Sequence, residues 1–257
     1  MTGDPRWEDL RVRLTSGVGL VVVGVAGVAA GGVWFQMLTV LVTAVMVWEL
    51  WMMIEPERPV PGMLLAAGTS SVLSGLFAEP GIIAFALAPA LLGALALRRE
   101  RVTFALFALA IIFAGWELVI FRFAYGMTWI LWLITVVVVT DVAGYFAGRF
   151  IGGPKFWPSV SPKKTWSGTG AGWVGAALVG AIFMSLTGEG AFLILASVLI
   201  SFASQMGDIA ESALKRRMNV KDSSTLIPGH GGLFDRFDGL LGASLAMLLV
   251  APFIIVP

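Results

Sequence analysis

Cysteine is absent from this chain, and charged residues are scarce. With no cysteine and a single histidine, the sequence excludes a disulfide framework and argues against a zinc site. Charged residues make up 13% of the 257 residues, whereas about 25% is typical of soluble domains. So little charge excludes a soluble globular protein. A hydrophobic content of 58% with a net charge of +1 also excludes intrinsic disorder.

Long apolar runs are abundant, and the mean hydropathy is +0.91. A helix needs about 20 residues to cross a bilayer, so the chain has room for roughly eight to ten spans. The runs are continuously apolar, which favours helices over the alternating strands of a β-barrel. We therefore predict an all-α polytopic membrane protein of about nine spans. They lie near residues 17–33, 35–54, 63–77, 82–97, 102–121, 129–148, 172–187, 191–206 and 240–256.

The basic residues are distributed unevenly between the predicted loops. If the N-terminus is cytoplasmic, 16 of the 17 Lys and Arg residues fall in cytoplasmic segments and only Arg122 falls outside. Basic residues mark the cytoplasmic side, so we predict a cytoplasmic N-terminus and an external C-terminus. The first run is then a span and not a cleaved signal peptide, since its loss would reverse this topology. The predicted cytoplasmic segments are 1–16, 55–62, 98–101, 149–171 and 207–239.

Polar residues concentrate in the C-terminal half, in segments 149–171 and 207–239. We predict an N-terminal scaffold of about five helices at 1–127 and a catalytic domain of about four helices at 128–257. Glu49 and Glu117 lie close to the ends of their apolar runs, and we interpret them as structural. The outer loops are short, so the chemistry is expected to face the cytoplasm.

Acidic residues recur at helical spacing in the second of these segments. Asp208 and Glu211 are three residues apart, so they share one face of a helix that continues from the eighth span. Asp235 and Asp238 have the same spacing and are expected to point to one centre. Carboxylates brought together repel unless a cation joins them, and Mg²⁺ prefers such oxygen ligands. The alternative is a set of solvated charges paired with Lys and Arg. Asp141 lies within an apolar run, where a carboxylate is costly and usually functional; a buried ion pair is its alternative.

Two segments have features of phosphate-binding loops. Ser161-Pro-Lys-Lys-Thr165 is expected to be a short turn offering two ammonium groups and two hydroxyls; the alternative is a basic membrane anchor. Gly229-His-Gly-Gly232 lets the backbone approach an anion closely, although His230 could equally be a hydrogen-bonded loop residue. The second segment lacks Walker A spacing. Together they predict a membrane enzyme that handles a nucleotide and a lipid.

Residues 212–238, SALKRRMNVKDSSTLIPGHGGLFDRFD, resemble the signature of the phosphatidate cytidylyltransferases, or CDP-diacylglycerol synthases, of bacterial type. Gly207-Asp208 with Glu211-Ser212 resembles a second family element, and residues 161–165 a third. Asp141 resembles the family's intramembrane acid. Ser167 departs from the pattern, where Glu or Gln is common. The similarity covers about residues 141–240. The matching signature residues are Ser212, Lys215, Arg216, Lys221, Asp222, Pro228, His230, Gly231, Gly232, Asp235, Arg236 and Asp238.

The resemblance implies transfer of CMP from CTP to phosphatidate, giving CDP-diacylglycerol and pyrophosphate. It implies Mg²⁺ bound by Asp208 and Asp235, with a second cation left open. Further metal candidates are Asp238, Glu211, Asp222 and Asp141. Candidate catalytic residues are Asp208, Asp235, Lys215, Arg236 and His230. Candidate substrate-binding residues are Ser161, Lys163, Lys164, Thr165, Ser212, Arg216, Lys221, Gly231 and Gly232. Since phosphatidate is already ionised at neutral pH, His230 is expected to contact phosphate and not to act as an essential base.

The expected partners are CTP and membrane phosphatidate, with no nucleic acid; a homodimer stays open. The expected location is the bacterial inner membrane, with the active site facing the cytoplasm. Three alternatives remain: a polyprenol kinase, a CDP-archaeol-type synthase and a lipid transporter without chemistry. Transporters often contain internal repeats, and none is evident here.

Overall fold

A computed structural model describes the backbone of residues 5–254 and the side chains of residues 11–79 and 83–253. The last predicted span, 240–256, therefore ends outside the described residues. The chain is almost entirely helical, which confirms the predicted all-α class. The helices are α1 Pro5–Ala30, α2 Gly32–Ile54, α3 Pro59–Ala78, a 3₁₀ helix Pro80–Ala86, α4 Leu87–Ala96, α5 Arg101–Phe150, α6 Trp166–Thr187, α7 Phe192–Met218 and α8 Phe234–Ile254.

Seven helices in the described part of the chain are long and apolar enough to cross a bilayer, so the protein is a multi-pass membrane protein. Two features account for the difference from nine predicted runs. The fifth and sixth runs both lie in α5, which Gly126 interrupts with a non-helical backbone (φ 83°, ψ −169°). The fourth run contains only a shorter apolar helix, Ile83–Ala96. The orientation of the termini stays a prediction.

A small hairpin interrupts the helical pattern between α5 and α6. Strand β1, Lys155–Trp157, pairs antiparallel with β2, Ser161–Thr165. The predicted turn at residues 161–165 is therefore wrong, because these residues extend to pair with β1. The Thr165 hydroxyl then accepts a 3.2 Å hydrogen bond from the backbone N–H of Gly168. This N-cap satisfies a backbone donor that the first turn of α6 leaves open.

The chain forms two compact units that interleave in sequence. The first contains the residues up to Val119 together with Met218–Phe237, and the second contains Ile120–Arg217 together with the residues from Asp238 onwards. The loop after α7 therefore groups with the N-terminal helices. In the first unit, Trp51 and Phe104 are fully buried and meet edge to face, with ring centroids 6.0 Å apart. The large aromatic area buried there makes α2 part of a packed core.

Candidate active site

Polar side chains lie along α7 inside the apolar part of the second unit. Trp132 donates from Nε1 to the Ser197 hydroxyl at 2.9 Å. One turn further, the hydroxyl oxygens of Thr140 and Ser201 lie 2.8 Å apart, and the Thr140 hydroxyl also lies 2.7 Å from the carbonyl oxygen of Val136. Both serines are buried, so these bonds satisfy groups that would be costly in a membrane interior. They also fix which face of α7 is turned towards α5.

Gln205 of α7, one turn before Asp208, connects α7 to α6. Its Oε1 accepts a 3.0 Å bond from Trp173 Nε1, and its Nε2 donates to the backbone carbonyl of Thr169 at 3.2 Å. Its own backbone carbonyl accepts a 3.3 Å bond from Lys164 Nζ. The side-chain amide of Gln205 therefore links α7 to α6, and its backbone carbonyl binds Lys164 of β2.

Helices α7 and α8 approach closely through glycine. A Cβ added at Gly207 would collide with the backbone carbonyl oxygen of Asp238 and lie 3.0 Å from the backbone nitrogen of Gly242. A Cβ at Gly242 would collide with the carbonyl oxygen of Ala203. Only glycine permits backbones to come this close. This packing brings Asp238 of α8 beside the acidic face of α7.

Asp208, Glu211 and Asp238 form what we call the carboxylate cluster. One oxygen from each lies within 4.8 Å of the others. Glu211 is buried and the other two are half-buried. The Asp208 Oδ1 accepts a 3.3 Å bond from the Ser212 hydroxyl, which holds the carboxylate from its own helix. This arrangement confines three carboxyl groups to a small volume.

Two lysines contact the carboxylate cluster directly. Lys164 Nζ lies 2.6 Å from Asp208 Oδ2, and Lys215 Nζ lies 2.6 Å from Glu211 Oε2. Asp141 of α5 interacts electrostatically with both Asp208 and Lys164. Both ion pairs are largely shielded from solvent, with Lys164 23% and Lys215 16% exposed, so salt screens them less than surface pairs.

The donors of the carboxylate cluster are carboxylate oxygens. Asp208, Glu211 and Asp238 present them within one small volume, and Lys164 and Lys215 lie beside them. Carboxylate oxygens are hard donors. This donor set fits Mg²⁺, which commonly takes one or two protein carboxylates and completes its shell with water and phosphate.

A second group of predicted residues lies in the first unit. Most of them belong to residues 219–233, which we call the signature loop, and the others follow it in α8. Asp235, in the first turn of α8, accepts three hydrogen bonds at its Oδ2. The donors are the backbone N–H and hydroxyl of Ser223 and the backbone N–H of Gly232, each at 2.8 Å. The carboxylate of Asp235 therefore joins Ser223 to Gly232 across the signature loop.

The two adjacent glycines of the signature loop are explained by this packing. Gly231 has φ +82°, and a Cβ there would lie 2.7 Å from Asp235 Oδ2. A Cβ at Gly232 would collide with the Ser223 hydroxyl and with a carboxylate oxygen of Glu49. The glycines thus let protein carboxylates reach the loop backbone.

Glu49 of α2 is fully buried and binds the same loop. Its Oε2 accepts from the backbone N–H of Phe234 at 2.7 Å, and its Oε1 accepts from that of Leu233 at 2.9 Å. The Ser224 hydroxyl donates to Oε1 at 2.6 Å. A carboxylate at this position satisfies N–H groups at the start of α8 and complements the helix dipole.

His230 of the signature loop contacts α1. Its Nδ1 lies 2.9 Å from the hydroxyl oxygen of Ser16, which also lies 2.9 Å from the carbonyl oxygen of Pro228. The His230 carbonyl accepts a 3.0 Å bond from Arg236 Nε. His230 is therefore held at its side chain and at its backbone by the first unit.

The predicted site residues thus fall into two groups. The second unit brings together Asp208, Glu211, Ser212, Lys215, Asp238 and Lys164, with Asp141 nearby. The first unit holds Asp222, His230, Gly231, Gly232, Asp235 and Arg236. Lys163, Arg216 and Lys221 are exposed, Ser161 is half-buried, and Thr165 is buried as a helix cap. Binding of a single cation by Asp208 and Asp235 stays a prediction.

Glu49 and Gln205 are two polar residues of these contacts that sequence analysis missed; Ser223 and Ser224 are others. Glu49 did carry a signal, because an acidic residue inside an apolar run is functional more often than not. Its proximity to a run end led to a structural interpretation. Gln205 precedes Gly207-Asp208 and carries no comparable signal.

Spanning helices that hold carboxylates and lysines at one cluster define a membrane protein with a site suited to a cation and an anionic ligand. The cytidylyltransferase family matches residues 11–254. The chain belongs to this family.

Several bacterial proteins named phosphatidate cytidylyltransferase are similar to part of the chain. The protein from Brucella suis biovar 1 is 46% identical over 127 residues, which are 49% of this chain and 47% of the relative. The Bacillus subtilis protein is 42% identical over 120 residues, 46% of this chain and 45% of the relative. A Staphylococcus epidermidis relative is 39% identical over 119 residues. The matched part of the chain spans about half the length of these relatives.

Proposed function

We propose that this protein transfers CMP from CTP to phosphatidate, giving CDP-diacylglycerol and pyrophosphate for phospholipid synthesis. Family membership and the names of the similar bacterial proteins support this reaction. The observation that carries the proposal is the carboxylate cluster with Lys164 and Lys215 beside it. Such a site suits a reaction between two anions, because their mutual repulsion has to be neutralised.

The reaction is an in-line displacement at phosphorus. A phosphate oxygen of phosphatidate bonds to the α-phosphorus of CTP, and the bond from that phosphorus to the oxygen bridging to the β-phosphate breaks. Pyrophosphate leaves with the electron pair of the broken bond. No proton has to move, since the attacking oxygen is already ionised, so positioning and charge stabilisation dominate catalysis.

Each side chain then has a role in binding or orientation. Lys164 and Lys215 are proposed to bind phosphate oxygens as point charges. Ser212 holds Asp208 through its 3.3 Å hydrogen bond. Exposed Lys163, Arg216 and Lys221 remain candidates for phosphate contacts. Asp235 is proposed to fix the signature loop, and its role as a metal ligand stays a prediction.

The carboxylate cluster is proposed to hold Mg²⁺, with Asp208, Glu211 and Asp238 as the candidate ligands. Three carboxylate oxygen donors within 4.8 Å of one another support this choice. When bound, the cation would offset negative charge on the phosphates. A second cation stays open.

The site is proposed to face the cytoplasm of a bacterial cell, with the protein in the inner membrane. The support is the predicted confinement of nearly all basic residues to cytoplasmic segments and the bacterial origin of the similar proteins. CTP then reaches the site from the cytoplasm, while phosphatidate stays in the bilayer.

The test uses purified protein in detergent with defined phosphatidate, Mg²⁺ and CTP labelled at the α-phosphate. The expected result is label in a CDP-lipid and one pyrophosphate released for each lipid formed. Asp208→Asn should lose this activity, and Glu57→Gln is its matched control, since Glu57 is an exposed acid outside the carboxylate cluster. Release of CDP with label absent from lipid would assign a polyprenol-kinase type of reaction. CTP left intact would favour a lipid transporter. Transfer of the label to an archaeol-type acceptor alone would favour a CDP-archaeol-type synthase.

A further inference from the structure

Glu49 belongs to α2, in the part of the chain predicted to be scaffold, yet its carboxylate contacts the signature loop and the start of α8. It is fully buried. Its two oxygens accept hydrogen bonds from Ser224, Leu233 and Phe234, at 2.6, 2.9 and 2.7 Å. Three charge-assisted bonds at one buried carboxylate are more than packing of a helix requires.

The contacts of Glu49 and Asp235 converge on Ser223. The Ser223 hydroxyl lies 2.8 Å from Asp235 Oδ2 and 3.4 Å from Glu49 Oε2. It has one hydrogen to donate, and the shorter contact to Asp235 takes it. Glu49 therefore lies against the Ser223 hydroxyl and binds Ser224 and the two amides that follow Gly232. Asp235 binds Ser223 and Gly232. The two carboxylates thus divide the donors of the signature loop between them.

We propose that Glu49 is a positioning residue for this enzyme: it orients the signature loop and the first turn of α8, and through them the side chains of His230 and Asp235. The catalytic part of this proposal rests on the cytidylyl transfer proposed above. The structural part, that Glu49 orients the signature loop, does not depend on the reaction.

The substitution Glu49→Gln tests the contact without changing side-chain size. An amide in place of the carboxylate has one acceptor oxygen instead of two, so at least one buried donor of the loop loses its partner. We expect hydrogen exchange at Leu233 and Phe234 to be about tenfold faster, and kcat to be about tenfold lower. KM for CTP and phosphatidate should change less than kcat, because Glu49 acts through the loop.

Three variants serve as comparisons. Glu117→Gln makes the same substitution at another buried glutamate of the first unit, and its exchange and turnover should match the wild type. Glu49→Asp restores a shorter carboxylate and should recover part of the lost turnover. Ser224→Ala removes the 2.6 Å hydrogen bond to Glu49, and it leaves the buried carboxylate itself unchanged. It should raise exchange in residues 222–234 by about threefold, which keeps the test decisive if Glu49→Gln fails to fold.

The outcomes separate the two halves of the proposal. Unchanged exchange in residues 222–234 of both Glu49→Gln and Ser224→Ala would overturn it. Faster exchange with turnover equal to that of Glu117→Gln would also overturn the positioning role. If the wild type forms no CDP-lipid while Glu49→Gln still exchanges faster, the loop contact stands and the proposed reaction falls.

Discussion

The ammonium group of Lys164 lies 2.6 Å from Oδ2 of Asp208, and this ion pair joins the β2 strand to α7. The same ammonium donates to the backbone carbonyl of Gln205 at 3.3 Å. Lys164 is thus oriented by two oxygens of α7 and interacts with Asp141 of α5. A lysine oriented in this way offers a fixed positive charge to an incoming phosphate at low entropic cost.

Replacing Lys164 with alanine should abolish most of the turnover. The change removes a charge-assisted contact worth about 1.5–3 kcal/mol, or roughly ten- to a hundredfold in rate. It also leaves Asp208 without its 2.6 Å partner. The measurement is the initial rate of CDP-lipid formation at saturating CTP. Lys155→Ala is the matched control, since Lys155 is an exposed lysine on the neighbouring strand, and its rate should stay within about threefold of the wild type.

Cation binding should depend on the carboxylate cluster in the absence of any substrate. We expect Asp238→Asn and Glu211→Gln each to weaken Mn²⁺ binding by about tenfold or more, because each removes a negative oxygen donor. Electron paramagnetic resonance of Mn²⁺ mixed with detergent-purified protein measures this directly. Glu57→Gln alters an exposed acid and should leave the binding curve unchanged. Wild-type affinity in Asp238→Asn would remove Asp238 from the cation site.

Some of this site could be predicted from local sequence. The three-residue spacing of Asp208 and Glu211 was sufficient to place both on one face of α7, because a continuous helix requires it. The association of Asp238 with them was not predictable. It depends on the close approach of α7 and α8 at Gly207 and Gly242, and local helical periodicity carries no information about which helices pack together.

The fold, like the site, could be predicted only in part from the sequence. Hydropathy predicted the apolar runs of α5, because burial in lipid requires them. It could not show how the two helical segments are joined, which depends on the non-helical backbone of Gly126 (φ 83°, ψ −169°), since glycine is also tolerated within helices. The pairing of β1 with β2 was missed for a similar reason. Short strands such as Lys155–Trp157 lack a hydropathy pattern that separates them from a turn.

His230→Asn should retain turnover within about tenfold of the wild type, because the attacking phosphate needs no strong general base. Asparagine keeps a polar group near Ser16 and leaves the backbone bond from Arg236 intact. The measurement is the rate of CDP-lipid formation as a function of pH, from about pH 5 to pH 8. The shape of the profile should not change. Loss of a limb of the profile in the variant would identify His230 as a general base or acid.

Asp235→Ala should lower stability as well as turnover. It removes three hydrogen bonds from Ser223 and Gly232, and at about 0.5–1.5 kcal/mol for each bond the total loss is roughly 1.5–4.5 kcal/mol. Thermal unfolding in detergent measures the loss as a lower Tm. Asp208→Asn is the comparison, because it also removes a carboxylate but keeps a similar shape; its Tm should stay near that of the wild type while turnover is lost. Equal Tm values for Asp235→Ala and wild type would contradict the role of Asp235 in the loop.

Gly207→Ala should disrupt the geometry of the carboxylate cluster by separating α7 from α8. The added methyl group would collide with the carbonyl oxygen of Asp238 and press on the backbone of Gly242, so α7 and α8 have to separate. Overpacking of this kind costs about 1–3 kcal/mol, and the separation should weaken Mn²⁺ binding because Asp208 and Asp238 move apart. Gly170→Ala in α6 is the matched control: its Cβ would meet open space, and alanine there should be neutral or stabilising by up to ~1 kcal/mol. Normal cation affinity in Gly207→Ala would show that close contact of α7 and α8 is not what assembles the cluster.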